Sequence, residues 1–285
     1  MQNHRSRGLC LLLLMSLFSC GPSAPSGTPS DSEPVPASQD KLVLTGSSTV
    51  APLALEIGKR FEAAHPGVRV DVQTGGSSRG IADAQRGLAD IGMASRALKD
   101  SETGLYAFAI ARDGICVILH KDNPVESLTD QQIVDLYTGK TENWSDVGGS
   151  DAPVTVVNKA EGRSTLELFL HYFKLDSREV QADVVIGDNE QGIKTVAGNP
   201  HAIGYVSIGT AEFDASLGVA IRLLPVGGVD ATVDNVANET FPLSRPLNLV
   251  TAKELTGLAK QFIEFAQSEA VHDLVREQYF VPVPH

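Results

Sequence analysis

Hydrophobic and polar positions along the chain follow two periods that together predict an α/β fold. Short apolar runs at residues 42–44, 115–119 and 154–157 are typical of buried strands. Between such runs, apolar residues recur at helical spacing, as Leu53 and Ile57 do. Because the two patterns alternate from residue 41 onward, the sequence predicts sheets whose strands are mainly parallel.

The same periodicity predicts further elements. Strands are expected at residues 68–72, 106–111 and 203–208, and a bend at 113–114 separates the strand 106–111 from the run 115–119. Helices are expected at residues 81–88, 128–137, 166–173 and 192–197, with a pair of helices within 255–279.

Three loops rich in small polar residues each join a predicted strand to a predicted helix. Their candidate ligand-binding residues are Ser47, Ser48, Thr49 and Val50 in the first loop, Ser77 and Ser78 in the second, and Lys159, Arg163, Ser164 and Thr165 in the third. Ser95 and Arg96 add a hydroxyl and a positive charge on a further loop over residues 90–96.

The start of a helix attracts anions because its first N–H groups lack partners inside the helix and its dipole is positive there. One such loop on its own is typical of ordinary capping by Ser or Thr. Three of them, at the carboxyl ends of strands, predict one shared site for an oxyanion.

Composition and charge narrow the possible partners. The 285 residues, 42% hydrophobic and 20% charged, are enough for one large or two medium globular domains. A net charge of -12 and the lack of a long basic run argue against nucleic acid. A small anion is still compatible with this charge, since salt screens distant surface charges over about 8 Å.

The N-terminal segment has the features of a targeting signal. Arg5 and Arg7 precede a mostly apolar run at 11–18 that is too short to span a membrane. The ending Leu-Phe-Ser-Cys at 17–20 resembles the lipobox of bacterial lipoproteins, in which cleavage precedes the cysteine and its thiol carries the lipid. We therefore expect a signal peptide at 1–19, lipidation of Cys20 and a flexible Pro- and Ser-rich tether over 20–40.

Six segments together resemble the phosphate-binding lipoproteins of bacterial phosphate ABC transporters, of the shorter type. Gly-Ser-Ser-Thr-Val-Ala-Pro at 46–52, Gly-Ser-Ser at 76–78 and Asp-Ile-Gly-Met-Ala-Ser-Arg at 90–96 resemble binding segments of that family. The segments 138–144, 202–207 and 241–247 are similar to family stretches with no obvious ligand role.

The resemblance implies a two-lobed periplasmic binding protein of type II, with hinge strands between the lobes and the ligand in the cleft. Lobe 1 is expected at 41–111 and 245–285, and lobe 2 at 112–244. By position, Thr49 and Val50 would donate backbone N–H groups, and Thr49 also its hydroxyl. Ser77 would donate from the second loop, and Ser95 or Arg96 from the next.

The third loop departs from the family pattern at Lys159, Arg163 and Ser164. A lysine in place of an arginine loses the planar fork that binds two oxygens at once. Arg163 is therefore expected to be the principal cation of the second lobe. The family's long-type members have an aspartate where Ser95 and Arg96 stand, and this aspartate accepts the proton of hydrogen phosphate. Glu161 is a candidate replacement.

These inferences predict an extracytoplasmic solute-binding protein that captures inorganic phosphate and delivers it to an ABC permease. The resemblance implies the permease and ATPase subunits as partners, with membrane contact through the lipid anchor only. We expect a monomer in the periplasm or on the outer cell surface, with no cofactor, no metal and no catalysis.

Three alternatives stay open. One is a regulatory or structural lipoprotein that has kept the fold but lost its ligand. In another alternative, the site binds a different tetrahedral oxyanion such as sulfate. Hydrogen phosphate carries a proton and sulfate does not, and a site that contains only hydrogen-bond donors has no acceptor to detect that proton. Alternatively, Gly76-Ser77-Ser78-Arg79-Gly80 is the nucleophile elbow of a serine hydrolase with Ser78 as nucleophile, since it lies between a predicted strand and a predicted helix.

Overall fold

The structure, a computed structural model, describes residues 40–283. The predicted signal peptide, Cys20 and the tether as far as residue 39 lie outside the described residues. Asp40 belongs to the first described strand, whereas the predicted tether included residue 40. In the range 40–283, no helix combines the length and the apolar character needed to cross a membrane.

The described chain alternates between strands and helices for most of its length. The strands are β1 (Asp40–Gly46), β2 (Val68–Thr74), β3 (Ile91–Ala94), β4 (Tyr106–His120), β5 (Thr155–Lys159), β6 (Val184–Ile186), β7 (Ala202–Ser207), β8 (Ile221–Leu224), β9 (Ser244–Thr251) and β10 (Val281–Pro282). The α-helices are α1 (Ala51–Ala64), α2 (Ser77–Arg86), α3 (Asp130–Tyr137), α4 (Ser164–Phe173), α5 (Asn189–Ala197), α6 (Ile208–Ser216), α7 (Val233–Ala237), α8 (Gly257–Gln267) and α9 (His272–Glu277). Short 3-10 helices occupy Trp144–Val147, Ser177–Glu179 and Glu269–Val271.

The strands hydrogen-bond in the order β2-β1-β3-β9-β4-β7-β5-β6, with β8 and β10 also paired to β4. Pairing is parallel at both ends of this path, between β1 and its neighbours β2 and β3 and between β5 and its neighbours β6 and β7. Every pair that involves β4 or β9 is antiparallel. The prediction of mainly parallel sheets is therefore wrong in the middle, where β9 inserts between β3 and β4.

Strand β4 is the longest described strand and connects the two halves of the molecule. Its first part pairs with β9 and its second part pairs with β7 and β8. The predicted bend at residues 113–114 is wrong, because Asp113 and Gly114 stay in register opposite Arg245 and Ser244 of β9. The irregularity of this ladder lies instead between Ala109 and Ala111.

Two large hydrophobic cores pack on either side of this connection, and a small third cluster contains Ile81, Ala94 and Val250. The first contains fully buried Leu44, Phe61 and Phe262, and its members fall within residues 42–111 and 247–280. The second is built around Phe169 and Tyr205, whose rings stack with centroids 3.9 Å apart, and its members fall within residues 115–243. We call the elements around the first core lobe 1 and those around the second lobe 2.

Candidate anion-binding site

Polar side chains from both lobes meet where strands end and helices begin. They come from the turn between β1 and α1, the first residue of α2, the loop after β3, the last residue of β5, and the starts of α4 and α5. Two more come from the facing strands β4 and β9. We call this set the anion cluster; its buried members are Thr49, Ser77, Ser95, Asp113, Lys159, Thr165, Asn189 and Arg245.

Arg245 lies at the centre of the cluster and contacts both lobes. Its side chain is only 1% exposed. One terminal nitrogen of its guanidinium donates to Thr165 Oγ1 of lobe 2 at 3.0 Å and to Ser95 Oγ of lobe 1 at 3.3 Å. The other donates to Thr49 Oγ1 at 3.4 Å. This single side chain therefore holds hydroxyls of both lobes around one point.

Asp113 neutralises Arg245. The two residues are direct cross-strand neighbours on β4 and β9, which explains why they meet. Arg245 donates from Nε and a terminal nitrogen to Asp113 Oδ2 at 3.1 and 2.8 Å. The other carboxylate oxygen accepts from Gly209 N at the start of α6, at 3.2 Å. Both oxygens of Asp113 are thus engaged inside the protein.

Lys159 is a second buried cation, and it has no carboxylate as ion-pair partner among residues 40–283. It is the last residue of β5 and is 3% exposed. Its amine donates to Asn189 Oδ1 at 2.9 Å, and the Asn189 amide in turn donates to Thr49 Oγ1 at 3.2 Å. Burial, followed by the nearby positive charge of Arg245, lowers the pKa of Lys159 to about 7.

Four hydroxyls of the cluster each accept at least one hydrogen bond from the protein and keep their own protons free. Thr49, Ser95 and Thr165 accept from Arg245, and Ser77 Oγ accepts from Ser95 N at 3.1 Å. None of the four donates to another group within residues 40–283. Because a hydroxyl carries one proton as well as its lone pairs, each can still donate a hydrogen bond to a ligand. The cluster therefore presents donors to whatever it encloses.

Ser164, at the start of α4, is a further available donor. It is buried, and its hydroxyl has no hydrogen-bond partner in the described part of the chain. A buried hydroxyl without a partner is unfavourable unless a ligand or water satisfies it. Its neighbour Thr165 belongs to the cluster, so the position of Ser164 suits contact with the same ligand.

Two of the helices that begin at the cluster, α2 and α4, lack a side-chain cap. The residues that precede α2 and α4, Gly76 and Arg163, provide no side-chain hydrogen bond to the helix start. Helix α5, which also begins at the cluster, does have a side-chain cap, from Asp188. The backbone N–H groups that open α2 and α4 are therefore not used by ordinary capping, and the dipole of each helix favours negative charge there.

The first loop is different, because one of its own side chains covers the helix start. Ser47 Oγ accepts from the N–H groups of Thr49 and Val50 at 3.2 and 3.4 Å. These are the two N–H groups that the family resemblance assigns to the ligand. In this structure Thr49 contributes its hydroxyl to the cluster, while its amide and that of Val50 point to Ser47.

Two predicted ligand residues, Arg96 and Ser78, lie outside the anion cluster, and both contact Glu167. The Arg96 guanidinium is buried, but Glu102 accepts from its two terminal nitrogens at 2.7 and 2.8 Å. Its Nε forms an ion pair with Glu167 at 3.0 Å. Ser78 Oγ donates to the other oxygen of Glu167 at 3.0 Å. In this structure Arg96 and Ser78 therefore contact Glu167 and not the hydroxyls of the anion cluster, and their role as ligand residues stays a prediction.

The remaining predicted residues lie at the edge of the site. Ser48 is half-buried and lines a surface groove with Pro52 and Asn189. Arg163, expected to be the principal cation of lobe 2, is half-buried outside the hydrogen-bonded network that contains Lys159. Glu161, the candidate proton acceptor, is exposed and accepts from Ser177 Oγ at 2.5 Å.

Three central residues were missed by the sequence analysis: Asp113, Asn189 and Arg245. A usable signal existed for two of them. Asp113 interrupts the apolar pattern that runs through β4, and Arg245 precedes the apolar end of β9. A charged residue inside a buried strand requires a partner, so these two were candidates for each other. Asn189 follows β6, which is too short to stand out in the sequence.

Comparisons with known proteins relate the chain to one superfamily and, within it, to phosphate-binding proteins. A model described as a PBP superfamily domain matches residues 31–270. The phosphate-binding protein PstS of Bacillus subtilis is 28% identical over 289 residues, which cover 96% of this chain and 94% of that protein.

Two solved structures are similar over nearly the whole described chain. One is a putative phosphate ABC transporter substrate-binding protein from Clostridium perfringens with bound phosphate. It has a TM-score of 0.80 and 36% identity, and the match covers 86% of this chain and all of that one. The other is an ABC-type phosphate transport receptor from Vibrio cholerae, with a TM-score of 0.70 and 32% identity, over 85% of this chain and all of that one.

Proposed function

The chain belongs to the PBP superfamily and, within it, to the substrate-binding proteins of phosphate ABC transporters, and on this basis we propose that it captures inorganic phosphate between its lobes and delivers it to a permease. One observation carries the proposal. The anion cluster buries two cations, Arg245 and Lys159, against one carboxylate, Asp113. A buried charge without a partner is costly, so this cluster favours a bound anion that supplies the missing negative charge.

The surrounding donors suit a tetrahedral oxyanion. Arg245 supplies a buried positive charge whose N–H groups bind Asp113 and orient the three hydroxyls, and Lys159 offers a compact charge from lobe 2. The free hydroxyl protons of Thr49, Ser95 and Thr165 are directed by the bonds that their oxygens accept. Because these donors come from both lobes, the bound anion would itself connect the lobes.

The number of donors is sufficient for useful affinity. A hydrogen bond to a charged group contributes about 1.5–3 kcal/mol. Micromolar affinity requires about 8 kcal/mol in total. The two cations and a few hydroxyls reach that sum even after the cost of ordering the lobes, so no covalent chemistry is required.

The family consists of substrate-binding proteins, and we infer that this member performs no catalysis either. The competing hydrolase interpretation depended on Ser78. The Ser78 hydroxyl donates to the Glu167 carboxylate, which is already paired with Arg96. A serine nucleophile requires a base that takes its proton, most often an imidazole, and a carboxylate held by arginine is a poor one.

The proposal includes a location and partners. The protein works outside the cytoplasm, anchored by lipid at Cys20 through the tether that precedes β1. It acts as a monomer that meets the permease of an ABC transporter, whose ATPase subunits supply the energy. Protease accessibility in intact cells tests the location, and substitution of Cys20 by Ser tests the anchor through release of the protein from membranes.

The ligand is tested by isothermal titration of the purified chain, freed of bound phosphate, with phosphate and with sulfate at pH 6 and pH 8. We expect phosphate to bind with micromolar or tighter affinity and sulfate not to compete. Equal binding of the two anions would reduce the function to that of a general oxyanion binder. Binding of neither would contradict the proposal.

A further inference from the structure

A second polar cluster joins the lobes beside the anion cluster. We call it the latch cluster; its members are Ser78, Arg96, Lys99, Glu102 and Glu167. Glu167, on the first turn of α4 in lobe 2, is its centre. Arg96 Nε and Lys99 Nζ of lobe 1 lie 3.0 and 2.7 Å from one of its oxygens. Ser78 Oγ of lobe 1 donates to the other oxygen at 3.0 Å.

Lobe 1 prepares its side of this contact without help from lobe 2. Glu102 binds the Arg96 guanidinium through both oxygens and also accepts from Lys99 N at 2.8 Å. The hydrogen bonds from Arg96 lower the pKa of Glu102, which keeps this carboxylate charged. Arg96 itself is 4% exposed and fixed in position. A rigid, positively charged receptacle in lobe 1 therefore receives a single carboxylate from lobe 2.

The backbones also meet at this point. Ser78 N donates to Gly162 O across the lobes at 3.3 Å. Gly76 has a φ of +93°, and a Cβ at this position would lie 2.7 Å from the same Gly162 oxygen. Any residue other than glycine would hold the lobes apart here, because a Cβ does not approach a backbone oxygen so closely.

The latch cluster is coupled to the anion cluster through adjacent residues. Ser95, which accepts from Arg245, directly precedes Arg96. Thr165, which also accepts from Arg245, lies two residues before Glu167 on α4. The movement that brings Thr165 to the anion therefore brings Glu167 to Arg96.

We propose that Glu167 is an interlobe latch that prolongs the closed state without touching the ligand. This inference rests on the proposed function, because it assumes that phosphate is the ligand. The contacts of Glu167 themselves do not depend on that assumption. Separation of the lobes would leave Arg96 bound to Glu102, whereas Glu167 would lose its cation partners. The latch therefore adds stability to the closed state only. It should act on the rate at which the ligand leaves, as loss of a partly buried charge contact does at protein interfaces.

The test compares Glu167→Gln with the control Glu56→Gln in the full chain. Glu56 pairs with Lys59 within α1 of lobe 1, so the control makes the same chemical change without an interlobe contact. Stopped-flow measurements should show phosphate leaving Glu167→Gln about tenfold faster, with little change in the association rate. The control should match the natural protein.

A second readout does not depend on phosphate. Hydrogen exchange of the segment 76–80 reports on the interlobe bond from Ser78 N. Exchange in the ligand-free Glu167→Gln chain should be faster in this segment and unchanged in the cores of both lobes. Lys99→Met, at an exposed position, should give a smaller effect in the same direction and should not add fully to Glu167→Gln.

Each outcome decides the proposal. Unchanged dissociation and unchanged exchange in Glu167→Gln would overturn it, as would a slower association rate at constant dissociation. If the natural chain binds no phosphate, the proposed function fails, and exchange of segment 76–80 alone decides the latch. If Glu167→Gln does not fold, Lys99→Met is used for both measurements. Phosphate dissociation and hydrogen exchange equal to those of the natural chain would then overturn the latch.

Discussion

The anion cluster and the latch cluster lie side by side and use similar residues, yet their charge balance differs. The latch cluster has two cations, Arg96 and Lys99, against the carboxylates of Glu102 and Glu167. The anion cluster has two cations against Asp113 alone. Both contain hydroxyls, and both join the lobes. The charges of the latch cluster neutralise one another within the protein. The anion cluster has an excess of positive charge, which a bound anion would neutralise.

Removal of Arg245, the central cation of the anion cluster, should have the largest effect on phosphate binding. Arg245→Gln should lower phosphate affinity by a factor of about one hundred or more, since it removes the central positive charge and the donors that orient three hydroxyls. Arg245→Lys should recover part of the affinity lost in Arg245→Gln, because lysine restores the positive charge but not the directed guanidinium N–H groups. Isothermal titration measures both, and Arg112→Lys is a matched control, since Arg112 lies one residue from Asp113 and pairs with Glu239 instead.

The same change has a cost for stability that must be separated from binding. Arg245→Gln leaves the buried Asp113 without its cation, which should destabilise the protein by about 3–5 kcal/mol. Titration is therefore performed where circular dichroism shows the variant folded. A folded Arg245→Gln protein with natural affinity would show that the charge excess does not hold the anion.

The second buried cation should give a smaller loss of affinity and a distinct pH signature. Lys159→Met should weaken phosphate binding by a factor of about ten to thirty, since one charged donor is lost. At pH 8.5 the natural protein should take up a proton on binding phosphate dianion, because the anion restores the charge of a lysine whose pKa is about 7. Titration in two buffers of different ionisation enthalpy detects this uptake, which Lys159→Met should lack.

Without ligand, the same lysine should make stability depend on pH in a defined direction. Its pKa is about 7 in the folded protein against 10.5 for the ordinary group. Between these values the unfolded chain binds more protons, so stability should rise with pH from about 7 to about 10.5 and should be flat below. Urea unfolding should show a contribution of at most about 1.4 kcal/mol per pH unit, and this contribution should vanish in Lys159→Met. An unchanged slope would contradict the burial of a lone cation.

Removal of the Ser164 hydroxyl should have the smallest effect on phosphate affinity. It should also separate binding most clearly from stability. Ser164→Ala should weaken phosphate binding by a factor of about three to ten. It should leave the stability of the ligand-free protein unchanged or slightly higher, because its hydroxyl has no partner within residues 40–283. Ser268→Ala, which loses a bond to Phe265 O far along the chain, is the control and should keep full affinity. Loss of ligand-free stability in Ser164→Ala would show that the hydroxyl is structural.

The sequence predicted the parts of the fold and of the site that depend on local pattern. Helices such as α1 and α4 follow from apolar spacing, and the polar loops brought Thr49, Ser77 and Thr165 forward because they precede helices. Strand β9 was missed because Pro246 and Asn248 interrupt its apolar positions, although the strand is largely buried. Its place between β3 and β4 depends on contacts that are distant along the chain.

The sequence could not show which basic residues belong to the anion cluster, because that also depends on contacts that are distant along the chain. Arg96 and Arg163 stand in polar loops, as ligand residues often do, and Lys159 stands beside them. Only the fold shows that Glu102 and Glu167 occupy Arg96 and that Asn189 holds Lys159 inside the cluster. Arg245 is brought to the centre by its register opposite Asp113, a pairing between residues more than one hundred positions apart.

The most direct test of the charge argument is a crystal structure of the protein with phosphate bound. We expect phosphate between the Arg245 guanidinium and the Lys159 amine, in contact with the hydroxyls of Thr49 and Thr165, while Arg96 keeps its contacts with Glu102 and Glu167. Phosphate held by Arg96 or Arg163, with Lys159 and Arg245 uninvolved, would contradict it.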